Sequence, residues 1–465
     1  MARIAAAVIW SAAEAAGAAG FAFVSGFVVA RLVGPAALGL GTAAVSLHVV
    51  LWVFVNALFA DALVQCAALD AATEAGTFWA SVLVGCGAAA LMAACGVPLA
   101  WAFADSRLHA MALVLALPLP LVGAGGAVQG RLMRDGRYRL LALRTLLGQG
   151  LGTLVGCVAA WRGAGAWAVV AQQAVGAAAG ALVLLTGGGW RPAPRRPVWS
   201  LLRVGLPLTA STLVLHGRYR VFLLLLGAGA GARVLGQVHM AFRLVEALRE
   251  LASTALWRLL LPAFSARQRD PAALRAAMLR AQRASLPALL GLCVALALAL
   301  RPVTALLLGP AWAGAGTAAL PLVGLAAWQF IAFAPGAALV ARGVPSVALR
   351  ANLASLALLV AGAWLLRPSG ALAAIWIWVG AQLIVAPYAL IASGQELRMP
   401  ARAMLRAAVP GVALAAVAGA AGWAVPGAGL GGATVRGAVV AIVIGIGWRR
   451  LDQGGTHAAA ETPPR

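Results

Sequence analysis

Apolar stretches of membrane-spanning length alternate with short polar gaps along the whole chain. A helix needs roughly 20 apolar residues to cross the hydrocarbon core of a bilayer, and about fourteen stretches reach that length. Residues 79–104 and 163–190 carry no charge, whereas the ninth stretch is interrupted by Pro287 and the last is short and contains Arg436. The pattern predicts an all-α fold, a polytopic transmembrane bundle of about 14 helices.

The basic residues are concentrated in every second gap. The chain has 35 arginines and no lysine, and 23 of the arginines fall in six gap segments. These segments lie near 129–144, 190–203, 258–283, 342–350, 398–406 and 449–465. Positively charged loops stay on the cytoplasmic side of a membrane. The alternation therefore predicts a multi-pass membrane protein with both termini in the cytoplasm.

Charge and composition narrow the possible functions further. In a soluble protein a net charge of +23 would suggest nucleic acid. Here we attribute the charge to the orientation of the chain in the membrane and to contact with anionic membrane lipids. We therefore expect no nucleic-acid partner. The longest piece between spans, 258–283, leaves no room for a soluble catalytic domain. With no Walker A loop and no Cys/His ligand spacing, the sequence predicts no catalytic residues, no metal site and no cofactor.

A faint internal repeat divides the chain. The first span ends in RLVG and the second begins around Leu38-Gly39, while the seventh ends in LLLG and the eighth begins around Leu235-Gly236. The offset of about 193–197 residues covers six spans, an even number, so the halves run in the same direction. We expect two parallel six-helix lobes plus two C-terminal helices. The predicted domains are a first lobe, a cytoplasmic linker, a second lobe, helices 13–14 and a cytoplasmic tail, at 1–190, 191–199, 200–394, 395–448 and 449–465.

Two arginine-rich gaps have amphipathic helical patterns. In 270–283, Asp270 can cap a helix, Pro271 suits its first turn, and Leu274 and Met278 share one face. Such a helix would lie on the inner leaflet of the membrane. The segment 131–144 has a similar pattern.

Polar side chains inside the spans mark the candidate site, because ionisable groups in a membrane are costly and usually face a cavity. In the eighth span, spacings of 4, 3 and 4 place four of them within about 60° of one helix face. They are His239, Arg243, Glu246 and Glu250. Arg249 lies about 60° or more off that stripe. The seventh span carries a second line, formed by Thr209, Thr212, His216 and Arg220, and the first span carries Glu14.

These stripes have two interpretations. Arg243 could pair with Glu246 or Glu250 and close a helix contact, or the stripes could line an aqueous cavity. The four arginines and two glutamates of spans seven and eight sum to +2, an excess that favours an anionic ligand. We therefore predict that Arg220, Arg243, His216 and His239 bind an anionic headgroup. Glu246 and Glu250 are the candidates for coupling or gating, with Glu14 as a third, and His48 is interpreted as a core histidine.

Several segments resemble one family in the right order along the chain. They are ARLVGPAALG (30–39), ALVQ (62–65), RLMRDGRYRLLALR (131–144), GAGAWAVVAQQ (163–173), LRVGLPL (202–208), PAFSARQRDPAALR (262–275) and LLLGPAW (306–312). They are similar to the bacterial polysaccharide-biosynthesis exporters, the O-antigen type flippases of lipid-linked oligosaccharides in the multidrug/oligosaccharidyl-lipid/polysaccharide (MOP) superfamily.

The resemblance implies a bacterial inner-membrane protein with two six-helix lobes around a cavity lined by helices one, two, seven and eight. It also implies alternating access for a polyprenyl-diphosphate-linked oligosaccharide, without covalent chemistry, and possible polysaccharide-assembly proteins as partners. One segment departs from the family: HGRYRVFLLLLG contains Arg218 and Arg220 where many members have an acidic or amide residue. The alternatives are a cation-coupled multidrug exporter of the same superfamily and a membrane-embedded glycan polymerase or ligase.

The topology can be tested with reporter fusions. Because of the arginine alternation, fusions at residues 135, 195, 270 and 400 should report the cytoplasm, and those at 106, 163, 230 and 310 the periplasm. An inverted signal at any of the first six positions along the chain would contradict the fourteen-span topology.

Overall fold

The fold is described from a computed structural model, which covers residues 2–66, 69–189, 198–344, 346–427 and 429–460. The side chains of 2–8, 200, 211, 214–216 and 450–460 are not described. Fourteen α-helices account for nearly all of these residues: α1 (Ala2–Gln65), α2 (Ala71–Phe103), α3 (Arg107–Ala116), α4 (Leu119–Arg134), α5 (Tyr138–Trp161), α6 (Ala166–Gly187), α7 (Trp199–Ala230), α8 (Ala232–Ser265), α9 (Pro271–Leu308), α10 (Ala313–Ala341), α11 (Ser346–Leu366), α12 (Ala371–Glu396), α13 (Ala401–Ala424) and α14 (Gly429–Ala460). A single 3₁₀ turn, Pro310–Trp312, precedes α10.

The predicted all-α transmembrane bundle is confirmed, with two changes in how helices correspond to spans. The first two spans form one element, α1, which is kinked at Gly34. The fourth span is broken into α3 and α4, because Pro118 and Pro120 have no N–H to donate to the preceding turn. Within the described residues, eleven helical segments are long and apolar enough to cross a membrane.

The break between α3 and α4 has a polar partner in the neighbouring helix. His48, which is fully buried, places Nδ1 2.9 Å from the carbonyl oxygen of Leu115. Its Nε2 is also buried, and no partner for it lies among the described residues. His48 therefore lies in the core, as interpreted, and among the described residues one of its two ring nitrogens has a hydrogen-bond partner.

The internal repeat is visible in the backbone. Gly34 has φ 75° and ψ 170°, and Gly231 has φ 85° and ψ 166°. Both glycines adopt positive φ values that favour residues without a Cβ, and each begins the second helix of its pair. The offset between them is 197 residues, at the upper end of the range that the sequence indicated.

The same repeat brings two helices into close contact. A Cβ at Gly39 would overlap the carbonyl oxygen of Ala232, and a Cβ at Gly236 would overlap that of Pro35. Pro35 and Ala232 are equivalent positions at the 197-residue offset, as are Gly39 and Gly236. The contact within unit 1 is therefore reciprocal: each helix of the pair approaches the start of the other. Small residues allow this approach of two backbones.

The chain forms two compact units, which are described separately. Unit 1 comprises Met1–His239 with Ala363–Ser369, and unit 2 comprises Met240–Gly362 with Gly370–Arg465. In unit 1, α1 packs against α4, α5 and α7. In unit 2, α9 packs against α10, α13 and α14. The predicted linker falls largely in 190–197, outside the described residues, so the lobe boundary stays a prediction.

Arginines in the basic gaps cap helix ends in both units. At the end of α4, Arg131 pairs with Glu74 and donates to the carbonyl oxygen of Gly188, just after α6. At the end of α10, Arg342 donates to the carbonyl oxygen of Glu396, the last residue of α12. Since α4 and α10, like α6 and α12, are six spans apart, the two caps are equivalent. They satisfy carbonyl groups that a helix C-terminus leaves unpaired.

Two predictions about the basic segments are corrected. Residues 271–283 are the start of the long helix α9, and Leu274 and Met278 are buried against protein rather than facing lipid. Their apolar face contacts α10 and the α12–α13 turn, so its pattern reflects packing. The segment 131–144 is interrupted by a turn before Tyr138. Helix α14 continues from its apolar segment to Ala460, and the assignment of residues from 449 onward to a cytoplasmic tail stays a prediction.

The reciprocal glycine contact predicts a selective loss of stability. Gly236→Ala should lower the free energy of unfolding in detergent by about 1–3 kcal/mol, because the new methyl group meets a backbone oxygen. Gly87→Ala is the matched control, since nothing lies within 4 Å of a Cβ there. If the two variants have the same free energy of unfolding, the close backbone contact at Gly236 does not contribute to stability.

Candidate functional site

One polar cluster in unit 1 joins α7 to α8. Tyr219 Oη lies 2.8 Å from His239 Nδ1, and the two rings are stacked with centroids 6.3 Å apart. The guanidinium carbon of Arg220 lies 5.5 Å from the centroid of the Tyr219 ring. The structure thus connects two of the predicted headgroup residues, Arg220 and His239, through a tyrosine. Sequence reasoning missed Tyr219, which lies beside Arg220 but one helix position off the predicted stripe.

Among the described residues, Arg220 has no acidic partner. It is partly buried, and within the described part of the chain no carboxylate lies within 4.0 Å of it. Contact with the face of an aromatic ring stabilises a guanidinium only modestly. Withdrawing a cation from water without a counter-ion is costly.

The acidic residues of α8 are paired differently from the prediction. Arg249 Nε donates to Glu246 Oε2 at 2.8 Å, and Arg249 Nη2 lies 3.6 Å from Glu250 Oε2. One interpretation of the sequence pairs Arg243 with Glu246 or Glu250 and leaves Arg249 off the stripe. Residues three apart on a helix are neighbours, and the long arginine side chain spans the angular offset. Arg249 therefore accompanies both candidate coupling residues.

A second polar cluster in unit 1 contains Glu14. Thr145 Oγ1 donates to Glu14 Oε1 at 2.6 Å, and Arg144 donates to Gln129 Oε1. Gln129 is partly exposed, whereas α4 residues 122–128 and Gly130 are buried. Glu14 thus contacts α5, and it lies near enough for electrostatic attraction to Arg144. Sequence reasoning had counted Arg144 only as an orientation residue, because its spacing from Glu14 in the chain carries no signal.

The remaining predicted site residues are only partly located. The side chain of His216 lies outside the described residues. Arg243 is partly buried on α8 and has a partner of its own. The described residues therefore define three groups: Arg220 with Tyr219 and His239, Arg249 with its two glutamates, and Glu14 with α5.

Solved structures identify the class of this fold. It is similar to the lipid II flippase MurJ in its inward closed conformation, with a TM-score of 0.74 and 12% identity over 96% of this chain and 99% of that chain. It is also similar to an inward-facing multidrug resistance transporter of the MATE family, with a TM-score of 0.65 and 15% identity over 83% and 96%. A MOP superfamily transporter from Pyrococcus furiosus gives a TM-score of 0.51 and 16% identity over 85% and 95%. The fold is that of the MOP superfamily transporters.

The sequence itself identifies the family. Residues 28–316, more than half of the chain, match the profile of a family described as polysaccharide biosynthesis protein. The protein belongs to this family, and the resemblance seen in its sequence motifs is confirmed. No curated protein matches the chain in sequence.

The pairing in α8 can be tested by stability. Glu246→Gln should lower the free energy of unfolding by about 1–2 kcal/mol, because Arg249 loses the negative charge of its closest partner. Glu250→Gln is the control: its longer contact and its side chain, which is 71% exposed, predict a smaller effect. Thermal unfolding of both variants in detergent provides the measurement. If Glu250→Gln lowers the stability more than Glu246→Gln, then Glu250 is the main partner of Arg249.

Proposed function

We propose that the protein is a flippase that carries a polyprenyl-diphosphate-linked oligosaccharide from the inner to the outer face of a bacterial inner membrane. The family supports a role in polysaccharide biosynthesis, and the fold supports transport. The observation that carries the choice of substrate is Arg220, a partly buried cation beside Tyr219 and without a carboxylate among the described residues. A diphosphate supplies the charge that this arginine lacks.

Each residue of the α7–α8 cluster has a role in this proposal. The planar guanidinium of Arg220 offers two parallel donors that match phosphate oxygens. Tyr219 limits the rotation of Arg220 by contact with its ring, and His239 in turn fixes the phenol by a hydrogen bond. Arg243, one turn after His239 on the same helix, is proposed as a second phosphate ligand. No bond in the substrate is made or broken.

The carboxylates are proposed to act in coupling. Glu246 and Glu250 share one arginine, so a movement of Arg249 changes the electrostatic environment of both carboxylates. Glu14 occupies a comparable position in the second polar cluster, where Arg144 is the nearby cation. We propose that an anionic headgroup competes with these carboxylates for the arginines. Such competition would link substrate binding to the conformational cycle.

The multidrug exporter remains the principal alternative, because a MATE transporter shares the fold. A cationic drug would require a carboxylate available for pairing. Glu246 and Glu250 are both accompanied by Arg249, whereas Arg220 has no acidic partner in the described chain. This charge distribution favours an anionic substrate. A polymerase or ligase would need large outer loops, and the described turns at 104–106 and 162–165 are short.

Replacement of Arg220 tests the substrate assignment. Arg220→Gln should reduce translocation of a lipid-linked oligosaccharide in proteoliposomes by roughly 10- to 100-fold, the loss expected for a charge-assisted phosphate contact. Arg220→Lys should recover part of the rate, because it keeps the charge but not the paired donors. Arg233→Gln, at an exposed arginine near the start of α8, is the matched control.

The same variants can be tested in cells. In a strain that lacks the protein, lipid-linked oligosaccharide should accumulate, and the Arg233 variant should clear it while the Arg220→Gln variant should not. If the Arg220→Gln variant exports the oligosaccharide at the parental rate and at normal protein levels, Arg220 is not part of the binding site. Export of a cationic drug in place of the glycan lipid would support the alternative.

A further inference from the structure

An open cleft lies in unit 1 at the turn between α2 and α3, and it shares no residue with the α7–α8 cluster. Its volume of about 530 Å³ falls in the roughly 300–1,000 Å³ range of small-molecule sites. Apolar residues from the last turns of α2 line the cleft together with polar residues from the turn and the first turn of α3. These residues include Val97, Trp101, Ala104, Asp105, Ser106 and His109. In the topology predicted from the arginines, this turn lies on the outer face of the membrane.

The backbone of the turn is strained at the cleft. Ala104 has φ 51° and ψ 37°, a left-handed conformation that a Cβ disfavours and that glycine usually supplies. Its N–H donates to the carbonyl oxygen of Trp101 at 3.2 Å, and α2 ends there. Residues other than glycine keep such a conformation only where their surroundings require it, and they cluster at ligand sites. The sharp turn brings the end of α2 and the start of α3 around one cleft.

The carboxylate in the cleft already has its charge balanced. Arg107 Nε donates to Asp105 Oδ1 at 3.0 Å, and Arg107 Nη2 donates to Asp105 Oδ2 at 2.6 Å. The backbone N–H of Arg107 also donates to Asp105 Oδ1, at 3.0 Å. These bonds fix the carboxylate, and the pair contributes no net charge. The cleft therefore favours an uncharged ligand over a metal ion or a cationic drug.

Two other polar side chains keep hydrogen-bonding capacity for a ligand. Ser106 is exposed, and its hydroxyl makes no capping bond at the start of α3. His109 packs against α2 at Gly96, where a Cβ would lie 2.9 Å from Nδ1. Within the part of the chain that the structure describes, His109 Nε2 has no partner, and unlike Nδ1 it is not buried. The cleft thus offers a hydroxyl group and one accessible ring nitrogen.

The apolar side of the cleft presents a large aromatic surface. Trp101 lines the cleft and is 79% exposed. A tryptophan at the lipid headgroups needs no cleft, as Trp161 illustrates: it lies at the end of α5, is 76% exposed, and does not line this cleft. Trp101 differs because rigid and unsatisfied polar groups lie beside its indole ring.

We propose that this cleft binds an uncharged sugar ring. A pyranose has apolar C–H groups on its face and hydroxyl groups around its edge, so it can stack on an indole and reach polar groups beside it. Trp101 would take the face, while Ser106 and His109 Nε2 exchange hydrogen bonds with the hydroxyl groups. The N–H groups of Arg107 that Asp105 does not use are further donors at the rim. The proposal rests on the proposed function only for the source of the sugar, a glycan delivered to the outer face.

Sugar binding by the purified full chain tests the proposal. Saturation-transfer NMR would be recorded in phosphatidylcholine nanodiscs, which contain no glycoside detergent, with methyl β-glucoside, methyl β-galactoside and sorbitol. At least one glycoside should bind, and sorbitol should not, because this acyclic polyol has hydroxyl groups but no ring face. Trp101→Ala should weaken glycoside binding about tenfold through the loss of aromatic contact. Trp161→Ala removes an equally exposed tryptophan and should bind like the parent.

A further variant separates this cleft from the transport site. Arg220→Gln should bind the glycosides like the parent even though it translocates the lipid-linked oligosaccharide slowly. Parental translocation by Arg220→Gln would contradict the proposed function and leave sugar binding at Trp101 unaffected. Failure of the cleft and failure of the proposed function are therefore distinguishable.

Several results would overturn the proposal. Binding of neither glycoside, or equal binding of sorbitol, would exclude a site for a sugar ring. Equal weakening in Trp101→Ala and Trp161→Ala would show contact with exposed tryptophans in general, and parental binding by Trp101→Ala would place the sugar elsewhere. If Trp101→Ala does not fold, Ser106→Ala replaces it, and unchanged binding by that variant would exclude the cleft.

Discussion

The close approach of two helices at Gly39 and Gly236 is the constraint on which the arrangement of the site depends. Each glycine contacts a carbonyl at the start of the other helix, and each helix begins after a glycine with positive φ. A side chain at either position would push the backbones apart. The contact fixes the second span against the start of α8, and through the short α7–α8 turn it also positions α7. The hydrogen bond between Tyr219 and His239 forms one turn beyond it.

Backbone features recur at the 197-residue offset, but the charged residues do not. At the 197-residue offset, Arg220 corresponds to Phe23, Arg243 to Ser46 and Glu246 to Val49. Repeated backbone features, such as the capped ends of α6 and α12, therefore support polar side chains that occur in one half only. The backbone geometry recurs at the 197-residue offset because close helix packing requires it at both positions. Ionisable groups in spans are retained only where a function compensates for their cost, so they need not be repeated.

Sequence reasoning predicted the helical bundle and the repeat because both depend on patterns that are local or periodic. It did not predict the pairing of Arg249 with Glu246, because a helical wheel gives the direction of a Cα–Cβ bond and not the reach of a long side chain. The partner of Arg144 lies on another helix, so spacing in the chain carried no information about it. The face with Leu274 and Met278 was assigned to lipid, because an apolar stripe fits a membrane surface and a protein core equally well.

The arginine caps also have a consequence for the order of events during biogenesis. Arg131 can orient its hairpin as soon as it emerges, but its carbonyl partner at Gly188 is synthesised 57 residues later. In the topology predicted from the arginines, the same charge acts first as a signal to the insertion machinery and later as a bond between inserted helices. Once that bond has formed, inverting the hairpin would require breaking a finished helix terminus as well as moving the charge. In that topology, the orientation of the hairpin is a preference during synthesis and becomes a property that the contacts of the folded protein maintain.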